Sequence, residues 1–556
     1  MKRLFIALIA ISAFVSSCSL EENPQGYVTK DNFYKTEEQC LSALRACYTP
    51  IHYIYNRDFL FATEACTDIW FCYTSNENGQ LAINPAKSGV AMTVWKYAYK
   101  GVARANECVE CIAKAPLKEN VKMPLVAEAR AMRALYYYIL TCFMGDVPFY
   151  MEAVKDIEVM ETIRSLPRKP ADEIRAELYQ DLKENALPYF TYENGLRCRA
   201  NEMKNDHSGY ALTLMLMGKF AMWNNEWEDA LYALDLLEEV YGEFTEGNFP
   251  LEKVQWRYKN VDESIFEIRH EWSSNGVQFS GNVAPVMGPS CSGEYMYDGV
   301  YMPQLSKTGS ASTPIRATKH YALFRSANNK KEENSSNALG MFPAMPMYLT
   351  NETYLFEGKT NRFCSEIDIN ALTTGTTANG SALDRRIVYT FGLGNLETGE
   401  TFSGIRTGGM FYGGPKFWCP GMTATYDSNN YRILRYADAV LMQSECYYEL
   451  GNPEKSLLYL NKVRKRAGIA DYQYVTDAEL IREIQNERAR ELGGEFHRKF
   501  DLVRWGIWYD MTKQFNEESR VKSNIRRCHR FYPIPDTECA LSNGVLSNPE
   551  YVNNYE

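Results

Sequence analysis

The sequence predicts a mainly α-helical protein, a helical-repeat scaffold interrupted by one long, loop-rich insertion. Three observations carry this reading. Apolar residues recur at helical spacing through about 36–241 and again from 431 to about 514. Over 242–430 that period fades, and Gly, Ser, Thr, Asn and Pro become frequent among scattered aromatics, a stretch too long to be one loop. Two helical segments far apart in the chain also share one spacing of small and apolar residues, the mark of an internal repeat.

In chain order, the first 17 residues read as a targeting segment. Lys2 and Arg3 are its basic start and Leu4 to Val15 its apolar run. Val15-Ser16-Ser17-Cys18 resembles a bacterial lipobox, which makes Cys18 the expected lipidation site and first mature residue. Several acyl chains, at ~0.8 kcal/mol per buried methylene, are ample for stable anchoring. No other stretch is long and apolar enough to cross a bilayer, so the mature chain is expected to be anchored through lipid, with 18–35 as a linker. Ser19-Leu20-Glu21-Glu22 resembles the acidic signal that places Bacteroidota lipoproteins on the outer face of the outer membrane.

The first helical part spans 36–241. Leu125, Ala129, Met132, Tyr136, Ile139 and Phe143 step by four and three as one helix face should, and Gly145-Asp146-Val147-Pro148 ends that helix. Gly218, Ala230, Leu234 and Leu237 have the spacing of the signature positions of a tetratricopeptide repeat, and Ser444, Ser456, Leu460 and Val463 repeat it. In the second unit Gly451 can close one helix while Asn452-Pro453 caps and begins the next. The second helical part and its tail span 431–556, with an irregular stretch expected over the last 40 or so residues.

Composition narrows the function. The 556 residues are 45% hydrophobic and 23% charged, which excludes disorder and collagen-like structure. Net charge is −10 with no long Lys/Arg block, which argues against a nucleic-acid partner. Six His leave little material for metal sites, no cofactor is expected, and no HExxH, complete phosphate-binding loop or G-x-S-x-G elbow is present. The 14 Cys other than Cys18 are spread through apolar helical stretches and read mostly as buried free thiols. Aromatics reach 13%, including 39 Tyr, which suits wet recognition surfaces as well as cores. No catalytic constellation thus stands out among the residues, although 70 acidic side chains leave room for a glycosidase-like carboxylate pair.

A resemblance sharpens this. Asp31-Asn32-Phe33-Tyr34-Lys35-Thr36-Glu37-Glu38, the Trp95–Asn106 helix, Ala127-Glu128-Ala129-Arg130-Ala131-Met132-Arg133-Ala134 with Gly145 to Pro148, and Leu460 to Gly468 are four of the blocks that carry it. Glu487-Arg488, Phe500 to Gly506, Tyr532-Pro533-Ile534-Pro535 and Asn548-Pro549-Glu550-Tyr551 complete it, with Glu550 where the pattern has Gly. In their order and spacing these blocks resemble the SusD-like (RagB/SusD) outer-membrane nutrient-binding lipoproteins of Bacteroidota. The resemblance implies about four tetratricopeptide-like helix pairs carrying a variable ligand-binding subdomain. It also implies a SusC-like TonB-dependent transporter as partner, and oligosaccharides or polysaccharides as cargo for import. It further implies a binding protein and not an enzyme, which sets the glycoside-hydrolase reading last. A peptide-binding member of the same family, or a tetratricopeptide scaffold binding only protein, are the alternatives. The charged residues of these motifs read as paired clamps between packed helices rather than as ligand contacts.

A glycan site needs aromatic platforms edged by hydrogen-bonding side chains, in segments the scaffold does not require. Two segments qualify: Asp68–Asn78 and Trp272–Tyr301. The expected stacking residues are Trp70, Tyr73, Trp272, Tyr295, Tyr297 and Tyr301, with Asp68, Asn76 and Asn78 as hydroxyl partners. The resemblance implies a site in the same two places.

Overall fold

The computed structural model describes residues 33–203, 209–271, 280–287, 291–297, 300–305, 315–322, 384–391, 394–395, 400–401, 413–419 and 426–552. Cys18 and Trp272 lie outside them. The main helices are α1 (Glu37–Tyr48), α2 (Arg57–Thr63), α3 (Gly89–Ala113), α4 (Glu119–Met144), α5 (Ala171–Asn185), α6 (Gly209–Trp223) and α7 (Trp227–Tyr241). After the insertion come α8 (Tyr436–Glu449), α9 (Pro453–Arg466), α10 (Asp477–Leu492), α11 (Arg498–Arg504) and α12 (Trp508–Phe515). Among the described residues, no helix is long and apolar enough to cross a membrane.

Local chemistry accounts for the helix ends. Thr36 and Gln39 form a reciprocal capping box at the start of α1. The helix of the Leu125–Phe143 stripe ends at Met144, and Gly145 takes the left-handed conformation with its N–H bonded to Thr141 O. Gly451 is also left-handed, Asn452 accepts from Lys455 N, and Pro453 opens α9.

The two segments with repeat spacing are both helix hairpins, α6–α7 and α8–α9, consistent with the tetratricopeptide pattern. Their small residues sit where helices approach. A Cβ on Gly218 would lie 3.2 Å from Leu234 and from Met442, and the Ser444 hydroxyl donates to Ser456 O at 2.8 Å. The approach of α3 on α4 is closer still, where a Cβ on Gly101 would fall 2.2 Å from the Tyr136 ring. These faces join one large apolar core that also takes in Trp70, Phe266, Ile315 and Tyr431 from short strands.

Besides a two-residue pair at Gly394–Asn395 and Glu400–Thr401, the described strands are β1 (Trp70–Cys72), β2 (Ser264–Ile268), β3 (Cys291–Tyr297), β4 (Val300–Leu305), β5 (Ile315–Ala317) and β6 (Tyr431–Arg435). β2 pairs antiparallel with β6, placing Ser264 opposite Arg435 and Ile268 opposite Tyr431, so the insertion leaves and returns through a paired stem. β3 and β4 form a hairpin with Tyr297 opposite Val300.

That stem is locked by buried charge. Arg435 reaches Glu263 at 2.6 Å, Glu491 at 2.6 Å and Glu495 at 2.8 Å. Arg466 pairs with Glu263 at 2.8 Å and also contacts Glu491. Arg386 binds Asp384, Glu487 and Glu491, and Lys416 binds Glu495. Arg464 and Arg490 close on Glu483 and Glu487. Six cations thus face six carboxylates, a neutral cluster in which each charge is compensated. Burial alone would raise the Glu487 carboxyl, but Arg386, Arg490 and Arg464 bring it down to about 2.

The other motif charges pair likewise. Arg130 and Arg133 meet on Asp181, Arg488 binds Asp438 and Asp501, and Arg504 binds Glu445. The expected irregular tail is more ordered than its sequence suggests. Short helices at Ser519–Asn524, Asp536–Leu541 and Pro549–Val552 follow α12, and Tyr532 N bonds Phe143 O at 2.7 Å.

Candidate functional site

The Asp68–Asn78 segment runs from the end of α2 into β1, which pairs antiparallel with β5 and sets Phe71 opposite Arg316. Side chains alternate across a strand. Trp70 and Cys72 therefore turn inward while Tyr73, an odd step from Trp70, turns outward.

Trp70 has no exposed surface and packs edge-on to Tyr321 at 5.4 Å and against Phe391 at 6.3 Å. It is a core residue in this structure, not the exposed platform its composition suggested. Asp68 is likewise buried, its two oxygens taking the Arg498 guanidinium at 2.8 and 2.6 Å. Burial would raise its pKa, but Arg498 outweighs that and holds the carboxyl below its ordinary value. A carboxylate spent on a bidentate arginine is not free to meet a sugar hydroxyl. Asn78 is also buried, with Oδ1 accepting from the Tyr532 hydroxyl at 3.4 Å.

Tyr73 and Asn76 do reach the surface. Tyr73 is 52% exposed, and the buried Arg316 guanidinium lies 3.3 Å from its ring centroid, fixing the ring's orientation through cation–π contact. Asn76 is partly exposed, and its Oδ1 accepts from Asn78 N and Gly79 N, both at 3.0 Å, so it also shapes the turn. Arg520 donates to Gln80 at 3.0 Å and Asn524 to Gln80 O at 2.9 Å, pinning this loop to the C-terminal tail.

Beneath Asp68, His320 stacks on Phe515 with ring centroids 3.7 Å apart, and burial lowers its pKa to about 4. Of the other expected platforms, Tyr295 and Tyr297 are on β3 and Tyr301 on β4. Tyr301 is opposite Met296 and Tyr295 opposite Met302.

A cavity of about 430 Å³ opens elsewhere, between the C-terminal end of α1 and β2. Tyr48 and Phe266 stack along one side with centroids 6.1 Å apart, while Arg45, His52, Asn201 and Arg269 are among its polar lining. Glu267 in its wall is fully engaged by Arg432, Asn430 and Asn260 N. Sequence reasoning missed this cavity because its lining comes from three distant stretches with no shared local pattern. It missed Arg316 and His320 for the same reason.

Comparisons with known proteins bear on this arrangement. Residues 420–551 match the model of the SusD family, and residues 55–202 match a SusD-like model described as starch-binding associating with outer membrane. The chain belongs to the SusD-like family. SusD-like protein P25 of Formosa agariphila is 24% identical over 99% of this chain and 98% of its own. Among solved structures, a SusD superfamily protein of Bacteroides vulgatus superposes with a TM-score of 0.62 at 17% identity, covering 92% of this chain and 98% of its own. Surface glycan-binding protein A of Bacteroides thetaiotaomicron, solved in complex with laminarihexaose, gives 0.58 at 18% identity over 92% and 98%. Both share this fold.

Proposed function

We propose that this SusD-like chain captures glycans at the outer face of the outer membrane and hands them to a SusC-like TonB-dependent transporter for import. The observation that carries the reading is the exposed Tyr73 ring, held from below by Arg316 beside the Asp68–Gln80 loop. A fixed, half-exposed aromatic face is what stacking on the C–H face of a sugar requires. The same fold in a protein solved with laminarihexaose supports a glucan as first candidate ligand. Asn76, three residues further along the same loop, is the candidate hydroxyl partner, while Trp272, Tyr295, Tyr297 and Tyr301 are the candidate contribution of the insertion.

Titration with laminarin oligosaccharides tests the assignment. Tyr73→Ala should keep the wild-type melting temperature and weaken binding at least tenfold, about 1.4 kcal/mol or more. Trp70→Ala should instead cost about 3–5 kcal/mol of stability, because it empties a core site. Unchanged affinity in Tyr73→Ala removes this platform from the site. Binding of a peptide panel in place of every glycan tried would move the protein to the family's peptide-binding alternative.

Anchoring rests on the apolar run before Cys18. Cys18→Ala should abolish labelling by radioactive palmitate and release the chain from the membrane fraction. A mutant that still sediments with membranes would assign its retention to the transporter instead.

A further inference from the structure

Two thiols meet where α1 packs on α3. Cys47, in the last turn of α1, and Cys108, in the C-terminal half of α3, are both buried with their Sγ atoms 3.6 Å apart. We propose that Cys47 and Cys108 are joined by a disulfide in the exported protein. The inference rests on the export reading above, since disulfides persist in oxidising compartments and not in the cytosol.

The backbone around this pair is already fixed. The Tyr136 hydroxyl of α4 donates to Cys47 O at 2.6 Å, and Arg104 of α3 donates to Ala46 O at 2.7 Å. The Arg104 bond holds the end of α1 against the helix that carries Cys108, and the Tyr136 bond holds it against α4. Closing the gap to the ~2.05 Å of an S–S bond takes a shift of about 1.5 Å, within reach of small side-chain rotations. Cys40 and Cys111 stand one or two turns away on the same helices, so the neighbourhood is rich in thiols. The Cys47 and Cys108 thiols are the pair in direct contact at the α1–α3 packing seam.

The bond forms by exchange with a disulfide-carrying oxidant of the exported compartment. One thiolate attacks the oxidant's S–S bond to give a mixed disulfide, and the second thiolate displaces the oxidant. Two protons and two electrons leave the cysteine pair, and the oxidant becomes a dithiol. In the folded chain the hydrogen bond to Cys108 and burial hold the Cys47 thiol well above its ordinary pKa. Exchange must then precede the closing of α1 onto α3. The crosslink would close a loop between positions 61 apart and restrict the unfolded chain. It would also fasten the first helix after the lipid-bearing linker, where any pull on the anchor enters the fold.

Full-length protein is recovered from membranes, unfolded in urea with excess iodoacetamide so that every free thiol is alkylated, and digested without reduction. The expected product is a Cys47 peptide linked to a Cys108 peptide, about 2 Da lighter than their sum, with neither cysteine alkylated. The lipid on Cys18 is read in the same digest. Alkylated Cys47 and Cys108 in a lipidated chain overturn the disulfide and leave the export reading intact. The same labelling with an unmodified Cys18 and an uncleaved leader overturns both. A link from Cys108 to Cys40 or Cys111 also overturns the assignment. Reduction of the wild type and Cys47→Ser should each lower the melting temperature by a similar amount, about 5 °C.

Discussion

Arg435→Met should lose about 3–5 kcal/mol of stability, seen as a fall in the urea midpoint and in the yield of folded protein. Arg435 is 1% exposed and holds Glu263, Glu491 and Glu495 at once. Its removal changes a balanced set of six cations and six carboxylates into one with an uncompensated negative charge, in a place where water cannot solvate it. The remaining cations soften the loss, since Glu263 keeps Arg466, Glu491 keeps Arg386 and Arg466, and Glu495 keeps Lys416. They cannot cancel it. Arg435→Lys restores the charge but not the planar fork that reaches three partners, so it should fall between wild type and Arg435→Met. The effect should extend to the insertion, because Glu263, Asp384, Arg386 and Lys416 all belong to the stretch leaving and rejoining the scaffold around the β2–β6 stem. Limited proteolysis of the variant should therefore cut within 269–430 sooner than in wild type. A midpoint within about 1 kcal/mol of wild type would mean that the clamp is dispensable to folding.

What could be read from the sequence depended on how local its physical cause was. Helical period, the Gly145 stop and the Gly451-Asn452-Pro453 punctuation act within a turn or two, and the structure has each of them. The Gly218–Leu234 and Ser444–Ser456 approaches were legible because small residues at fixed spacing imply close helices. Asp68 was misread because its partner, Arg498, lies 430 residues away. Composition shows a carboxylate beside aromatics; only the fold shows which cation has already taken it. Trp70 illustrates a signal that was present and unused. Trp70 and Tyr73 are three apart, so an extended segment must put them on opposite faces, and both could not be platforms. Nothing local distinguishes which face is buried. That was decided by β5, Tyr321 and Phe391, all contributed by the insertion.

Stability should fall steeply on mild acidification, beginning near pH 6.5 rather than in the carboxylate range. Five histidines carry this. Burial lowers His52, His320 and His497 to about 4, and His270 and His529 to about 3. In the unfolded chain each titrates near ~6.5. Between the two values the unfolded state binds protons that the folded state refuses, so stability is full above pH 6.5 and is lost as pH falls. Two buried carboxyls oppose this. Burial pushes Glu64 up to about 8 and Asp427 to about 6, so below those values the folded state keeps protons that the unfolded state releases. Five against two leave about three protons taken up on unfolding between pH ~4.5 and 6, or about 4 kcal/mol per pH unit at ~1.4 kcal/mol each. Above pH 6.5 only Glu64 still acts, and its sign makes stability decline gently toward pH 8. The maximum should therefore lie near pH 6.5–7. The salt-bridged carboxylates enter only at the lower edge of this window. Held low in the fold, as Glu487 is at about 2, they take up protons on unfolding as pH falls through their unfolded values of ~4.3, which steepens the loss there. Urea midpoints at pH 4.5, 5.5, 6.5 and 8 give the profile directly. His529→Gln removes one imidazole and should cut the acid-side slope by about a third. A flat profile between pH 6.5 and 5 would show that these imidazoles take up their protons without unfolding the protein.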